Sequence, residues 1–161
     1  MRIGRKVFVG ASRRTNRGGI AQLSEILRVH DYEVTPVAVT GCLHLKSACS
    51  YVGNNMLLMN RSWIDSTPFS AFELIDVPDE EPAAANALLV KDIVVSPASF
   101  PQTHLILERR GCRVRAIDLS ELQKAEGGVT CTSLIFSNTS SVTSGSPSLM
   151  QIQRASNQSG S

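Results

Sequence analysis

Strand-like and helix-like segments alternate along this 161-residue chain, and the alternation predicts an α/β fold. Three observations carry that prediction. Short β-branched and aromatic runs recur, beginning with Lys6-Val7-Phe8-Val9. Two turn signals, Gly53-Asn54-Asn55 and Lys91-Asp92, join neighbouring runs into hairpins. Between the runs lie stretches with apolar residues at three- and four-residue spacing, the mark of amphipathic helices. With 42% hydrophobic residues the chain can bury one domain-sized core.

The elements follow in order. Gly10 stops the first strand, and residues 11–17 form a polar, basic loop holding Arg13, Arg14 and Arg17. Asn16 can cap a helix over 18–30, where Ile20, Leu23, Leu27 and His30 share a face. Residues 33–39 make the next strand, and His44 follows Gly41 where that strand gives way to a loop. Residues 48–52 and 56–59 form the first hairpin; 62–70 is a short helix or irregular turn. A strand at 72–77 leads into Pro78-Asp79-Glu80-Glu81-Pro82, which reads as a rigid, solvated acidic loop.

Residues 87–90 and 93–96 form the second hairpin. Pro101 suits the first turn of a helix running to Arg110, with Gly111 just past its end. Residues 112–116 alternate apolar and basic, so this strand has one wet face. Ser120 and Gln123 match a capping box for a short helix, which Gly127-Gly128 ends. The span 130–136 reads as a last strand. Residues 137–161 are rich in Ser, Thr, Asn, Gln and Gly and read as a disordered tail. The repeated element pattern suits an array of small ββαβ units as well as an open sheet.

Composition narrows the function. A net charge of +2, without a basic stripe interleaved with aromatics, argues against nucleic acid as a partner. No apolar run reaches about 18 residues, so no membrane-spanning helix is expected. Four cysteines, Cys42, Cys49, Cys112 and Cys131, show no CxxC spacing and read as reduced thiols of a cytoplasmic protein.

Two residues could carry covalent chemistry. Cys131 follows Gly127-Gly128 and is flanked by Thr130, Thr132 and Ser133, small neighbours that leave room around a sulfur. A nucleophilic thiol needs a thiolate-stabilising setting and a histidine partner, and His44 is the best placed of three histidines. On local pattern alone, a small core cysteine and a satisfied loop histidine remain the default readings. A metal site from Cys42, His44 and Cys49 matches no familiar zinc spacing, so no metal is expected. Arg17-Gly18-Gly19 at a helix start is a weak anion-site signal.

In sequence order, the chain carries Phe8-Val9-Gly10-Ala11-Ser12-Arg13-Arg14-Thr15-Asn16, His44-Leu45-Lys46-Ser47 and Val77-Pro78-Asp79 with Ala84-Ala85-Asn86. Ser120-Glu121-Leu122-Gln123-Lys124 and Gly128-Val129-Thr130-Cys131 complete the series. Over residues 5–136 this set resembles the C-terminal portion of the dimethylarginine dimethylaminohydrolases, in the guanidine-modifying pentein superfamily. The resemblance implies a partial α/β-propeller of ββαβ units, roughly half of a five-unit fold. It implies Cys131 as nucleophile, His44 as general acid/base, Arg14 at the substrate carboxylate and a backbone carbonyl at Ala125 meeting the substrate. The implied partner is a small guanidine such as dimethylarginine, with no cofactor.

Arginine deiminase and amidinotransferase share that scaffold, and Lys46 after His44-Leu45 favours the dimethylarginine enzymes. A non-catalytic fragment serving as an interaction module is the alternative of another class. Family members carry their guanidinium-binding carboxylates in an N-terminal half that has no counterpart here. Pairing with such a half, or self-association, is therefore expected.

Overall fold

The computed structural model of the chain describes residues 1–135. Its strands form three separate three-stranded sheets of identical topology. In each, the middle strand pairs antiparallel with the strand before it and parallel with the strand after it. A parallel return needs a crossover, and each of the three crossovers carries a helical segment.

The first unit comprises β1 (Arg2–Ile3), β2 (Lys6–Ala11), α1 (Arg17–Arg28) and β3 (Glu33–Ala38). Gly4, at φ 57°, makes the β1–β2 turn. Asn16 caps α1 as its sequence predicts: its side-chain oxygen accepts from the Gly19 N–H at 2.8 Å. The helix ends at Arg28, two residues before the expected 30. After a one-turn helix, α2 (Leu45–Ala48), the second unit has β4 (Cys49–Gly53), β5 (Met56–Met59) and β6 (Glu73–Asp76). Its crossover holds only a 3-10 turn at Thr67–Phe69. The third unit comprises β7 (Leu88–Val90), β8 (Ile93–Pro97), α3 (Pro101–Arg109) and β9 (Arg113–Ile117), and α4 (Ser120–Lys124) follows it.

β5 explains how the units hold together. All four of its residues are buried, and side chains alternate across a strand. Leu57 and Met59 enter one cluster with Phe8, Val37 and Phe69, where the two phenylalanine rings lie 4.7 Å apart. Met56 and Leu58 enter a second cluster with Ile75, Val94 and Leu107. One strand thus walls both cores, each joining two neighbouring sheets.

Three local expectations are corrected. Residues 130–135 are not a strand: Cys131 and Thr132 turn back, both donating their N–H to the Gly128 carbonyl. The hydroxyls of Thr132 and Ser133 also bond the Gly128 and Val129 carbonyls, and such local bonds compete with a strand ladder. The capping box at α4 is absent, because Leu119 occupies the cap position and Asp118 accepts the Ser120 N–H instead. Gln123 bonds the Ser99 hydroxyl.

The third correction concerns Glu81, which is buried, while Asp79 and Glu80 are exposed. Its carboxylate accepts the N–H groups of Gln102 and Thr103 and the Thr103 hydroxyl, at 2.6–2.9 Å. The local cap residue of α3 is Phe100, which offers no side-chain acceptor, and Pro101 has no N–H. Glu81 therefore satisfies the first free donors of that helix from a distant loop and sits at the positive end of its dipole. Among the described residues no helix is long and apolar enough to cross a membrane. The expected tail, 137–161, lies outside the described residues.

Candidate active site

The connectors that follow β3, β5, β6, β8 and α4 converge on one cavity of about 700 Å³. Its lining brings together Cys42, His44, Trp63, Asn86, Ala125, Glu126 and Cys131. Two candidates that the sequence leaves 87 positions apart, His44 and Cys131, therefore face the same space.

The His44 wall is set by a close backbone approach. Thr40 and Gly41 both donate their N–H to the Trp63 carbonyl, at 2.9 and 3.2 Å. A Cβ on Gly41 would stand 2.2 Å from the Trp63 ring, so only glycine fits against that indole. The chain then turns, and His44 precedes α2 in an extended conformation, with its carbonyl accepting from Ser47 N–H and the Cys42 thiol. The side chain is thus at a helix start, exposed, and not at the end of a strand.

The Cys131 wall depends on Asn86. This half of the cavity is the turn 128–131, and a Cβ on Gly128 would lie 2.0 Å from the Asn86 amide nitrogen. The Asn86 amide oxygen accepts both the N–H and the hydroxyl of Thr130, at 3.1 and 2.8 Å. Its nitrogen donates to the Cys131 sulfur at 3.8 Å.

Cys131 is exposed, and its thiol pKa is lowered. Partial burial is the largest single influence and pushes it upward. A Gly128 backbone hydrogen bond, the Lys46 charge and hydrogen bonds from Asn86 and Thr130 together outweigh that burial. The other three thiols move the opposite way. Burial raises Cys42, burial and the Glu73 charge raise Cys112, and burial pushes Cys49 up to about 12. The thiolate is the reactive form, so Cys131 is chemically set apart.

The remaining expected residues divide. Ala125 lines the cavity at the end of α4, and Glu126 beside it adopts φ 58°, reversing the chain there. Among the described residues no backbone N–H donates to the Ala125 carbonyl. Arg14 is exposed and does not line the cavity. Its neighbour Arg13 lines an adjoining depression that shares Cys42 and Leu43 with it. Sequence reasoning assigned no role to Asn86, Trp63 or Glu126. Asn86 stood within a recognised run, while the convergence of Trp63 and Glu126 is a product of the fold. Glu126 is the one carboxylate among the lining residues, and neither Asp79, Glu80 nor Glu81 reaches the cavity. No group of three or more metal-ligating side chains occurs among the described residues.

No protein-family model matches the chain. Among curated proteins it is similar to the N(G),N(G)-dimethylarginine dimethylaminohydrolase of Pseudomonas aeruginosa, with 38% identity over 136 residues. That match covers 84% of this chain and 54% of the relative. Among solved structures, a cysteine-to-serine mutant of a Pseudomonas aeruginosa dimethylarginine dimethylaminohydrolase complexed with citrulline superposes with TM-score 0.78. Identity there is 36%, over 84% of this chain and 53% of that one. An amidinotransferase from Microseira wollei, at 18% identity and TM-score 0.74, shares the fold over 83% of this chain and 44% of its own. The chain spans about half the length of the curated relatives it matches.

Proposed function

We propose, on the premise that this chain is related to the dimethylarginine dimethylaminohydrolases of the guanidine-modifying pentein superfamily, that it carries the nucleophile and acid/base of a guanidine hydrolase. The observation that carries this reading is the shared cavity of His44 and Cys131, with Cys131 the one thiol of four whose pKa is lowered. The citrulline bound by the relative is the product such a reaction would give.

In the proposed reaction the Cys131 thiolate attacks the guanidinium carbon of dimethylarginine and forms a C–S bond. His44 donates a proton to the departing nitrogen, so dimethylamine leaves as the tetrahedral adduct collapses to a thiouronium. His44, now neutral, takes a proton from water, and the resulting hydroxide adds to the same carbon. As the C–S bond breaks, the hydroxyl of this adduct gives up its proton to solvent, releasing citrulline and the thiolate with His44 again protonated. The Ala125 carbonyl and the Glu126 carboxylate would face the cationic guanidinium, and Arg14, outside the cavity lining but next to Arg13 of the adjoining depression, would meet a substrate carboxylate that reaches past the rim. No cofactor enters any step.

The three repeated units fit an arc of a five-unit propeller, roughly half of the closed ring. That reading is supported by the common topology of the sheets and by the superposition on the relative. Further family-type sequence, or a second copy, would cover the open sides of such an arc and complete the guanidinium pocket. Four free thiols suit a cytoplasmic setting.

The test is direct. The purified chain is incubated with dimethylarginine, alone and with the N-terminal half of the Pseudomonas aeruginosa relative, and citrulline is measured. Citrulline should form in at least one mixture and vanish on Cys131→Ser. Its absence from both mixtures overturns the proposal.

A further inference from the structure

We infer that Asn86 is a positioning residue for Cys131, its amide aiming the sulfur and stabilising the thiolate while its oxygen locks the turn on which that sulfur sits. The inference rests on Cys131 being the nucleophile.

The orientation of the amide is fixed by chemistry. A backbone N–H can only donate, so the atom that meets Thr130 N–H must be the amide oxygen. The nitrogen is thereby turned toward the Cys131 sulfur. Asn86 is 7% exposed, so this donor faces the sulfur with little competition from water. Its own place is fixed on both sides of the loop. The Ala87 N–H donates to the buried Ser50 hydroxyl, and the Asn86 N–H donates to the Ala83 carbonyl. On the facing turn, only a glycine at 128 leaves room for the amide. A side chain needed solely to fill space would not require an empty Cβ position opposite it.

Other charges bear on the same sulfur. Lys46, from α2, favours the thiolate. His44, Cys42 and Glu126 line the same cavity. An effect of Asn86 must therefore be read as a change on that fixed background. Asn86→Asp keeps the shape and the oxygen that serves Thr130, and replaces the donor beside sulfur with an anionic oxygen. Asn86→Ala removes donor and acceptor together.

The experiment follows the pH dependence of Cys131 alkylation by iodoacetamide in the full chain, with the modified cysteine identified by mass spectrometry. The wild-type midpoint should lie below those of Cys42, Cys49 and Cys112. Asn86→Asp should raise the Cys131 midpoint by about one unit or more, cutting the alkylation rate near neutral pH about tenfold. Asn86→Ala should raise it by less. Alanine is smaller and opens space beside Gly128, so this variant decides the matter if the aspartate form does not fold. A Cys131 midpoint unchanged in whichever variants fold overturns the inference. A wild-type Cys131 no more reactive than the other thiols overturns the nucleophile assignment itself, so the two failures are distinguishable.

Discussion

Removal of the Glu81 carboxylate should loosen the molecule far more than its place in an acidic surface sequence suggests. Glu81 accepts three hydrogen bonds at the start of α3, two of them from Thr103, which is fully buried. Loss of an ordinary helix cap costs about 0.5–2 kcal/mol. Hydrogen bonds to a charged group contribute about 1.5–3 kcal/mol, and a buried donor left without a partner costs about 1–3 kcal/mol. Against these stands the desolvation of a buried carboxylate, several kcal/mol that Glu81→Ala would relieve. The balance is a destabilisation of about 3 kcal/mol, or about 10 °C in Tm at this chain length. Glu81→Gln can still offer its oxygen to Thr103, but its NH2 would confront the Gln102 N–H, so about half that loss is expected. Urea unfolding followed by circular dichroism measures both variants. An alanine variant within about 0.5 kcal/mol of wild type would refute the reasoning, because that is the range of an ordinary surface substitution.

Two further outcomes follow from the thiols and the glycines. Burial raises the Cys49 pKa from 9.0 to about 12, so the folded chain holds that proton more tightly than the unfolded chain. This contribution is full below pH 9 and is lost as the pH rises toward 12, and Cys49→Ala should flatten the alkaline fall in Tm. Gly41→Ala would place a Cβ 2.2 Å from the Trp63 ring and 2.8 Å from its backbone Cα. Since backbone has to move, we expect about 1–3 kcal/mol of destabilisation, with citrulline formation falling far more than overall secondary structure does. Normal turnover in Gly41→Ala would show that the close approach at Trp63 does not set the position of His44.

Several local signals were legible in single residues. Asn16, Pro101 and the turn residues at 53–55 and 91–92 marked helix starts and hairpins because capping and positive φ are properties of single residues. The strand expected at 130–136 came from β-branched and apolar composition. It gave way between 130 and 135 because the hydroxyls of Thr132 and Ser133 bond backbone carbonyls four residues back, which competes with a strand ladder. Glu81 misled for the opposite reason. Its flanking prolines and acids describe a solvated loop, and its actual partners lie about twenty residues away on another element. Cys131 and His44 stood out from their own surroundings and Ala125 from a family pattern, and all three line the cavity. Arg14 does not, and Asn86 gained a role only through contacts with residues more than forty positions distant.

β5 has a consequence for motion. Because Met56–Met59 is covered on both faces, its amides have no route to solvent short of separating both cores at once. Hydrogen exchange should therefore be slowest there and quicken outward toward the connectors that carry His44 and Cys131. The strand continues directly into Asn60, whose amide donates to the Pro82 carbonyl on the loop that carries Asn86. Among the described residues, the strand covered on both faces is thus tethered to the loop behind Cys131, which gives that wall of the cavity a fixed point of reference.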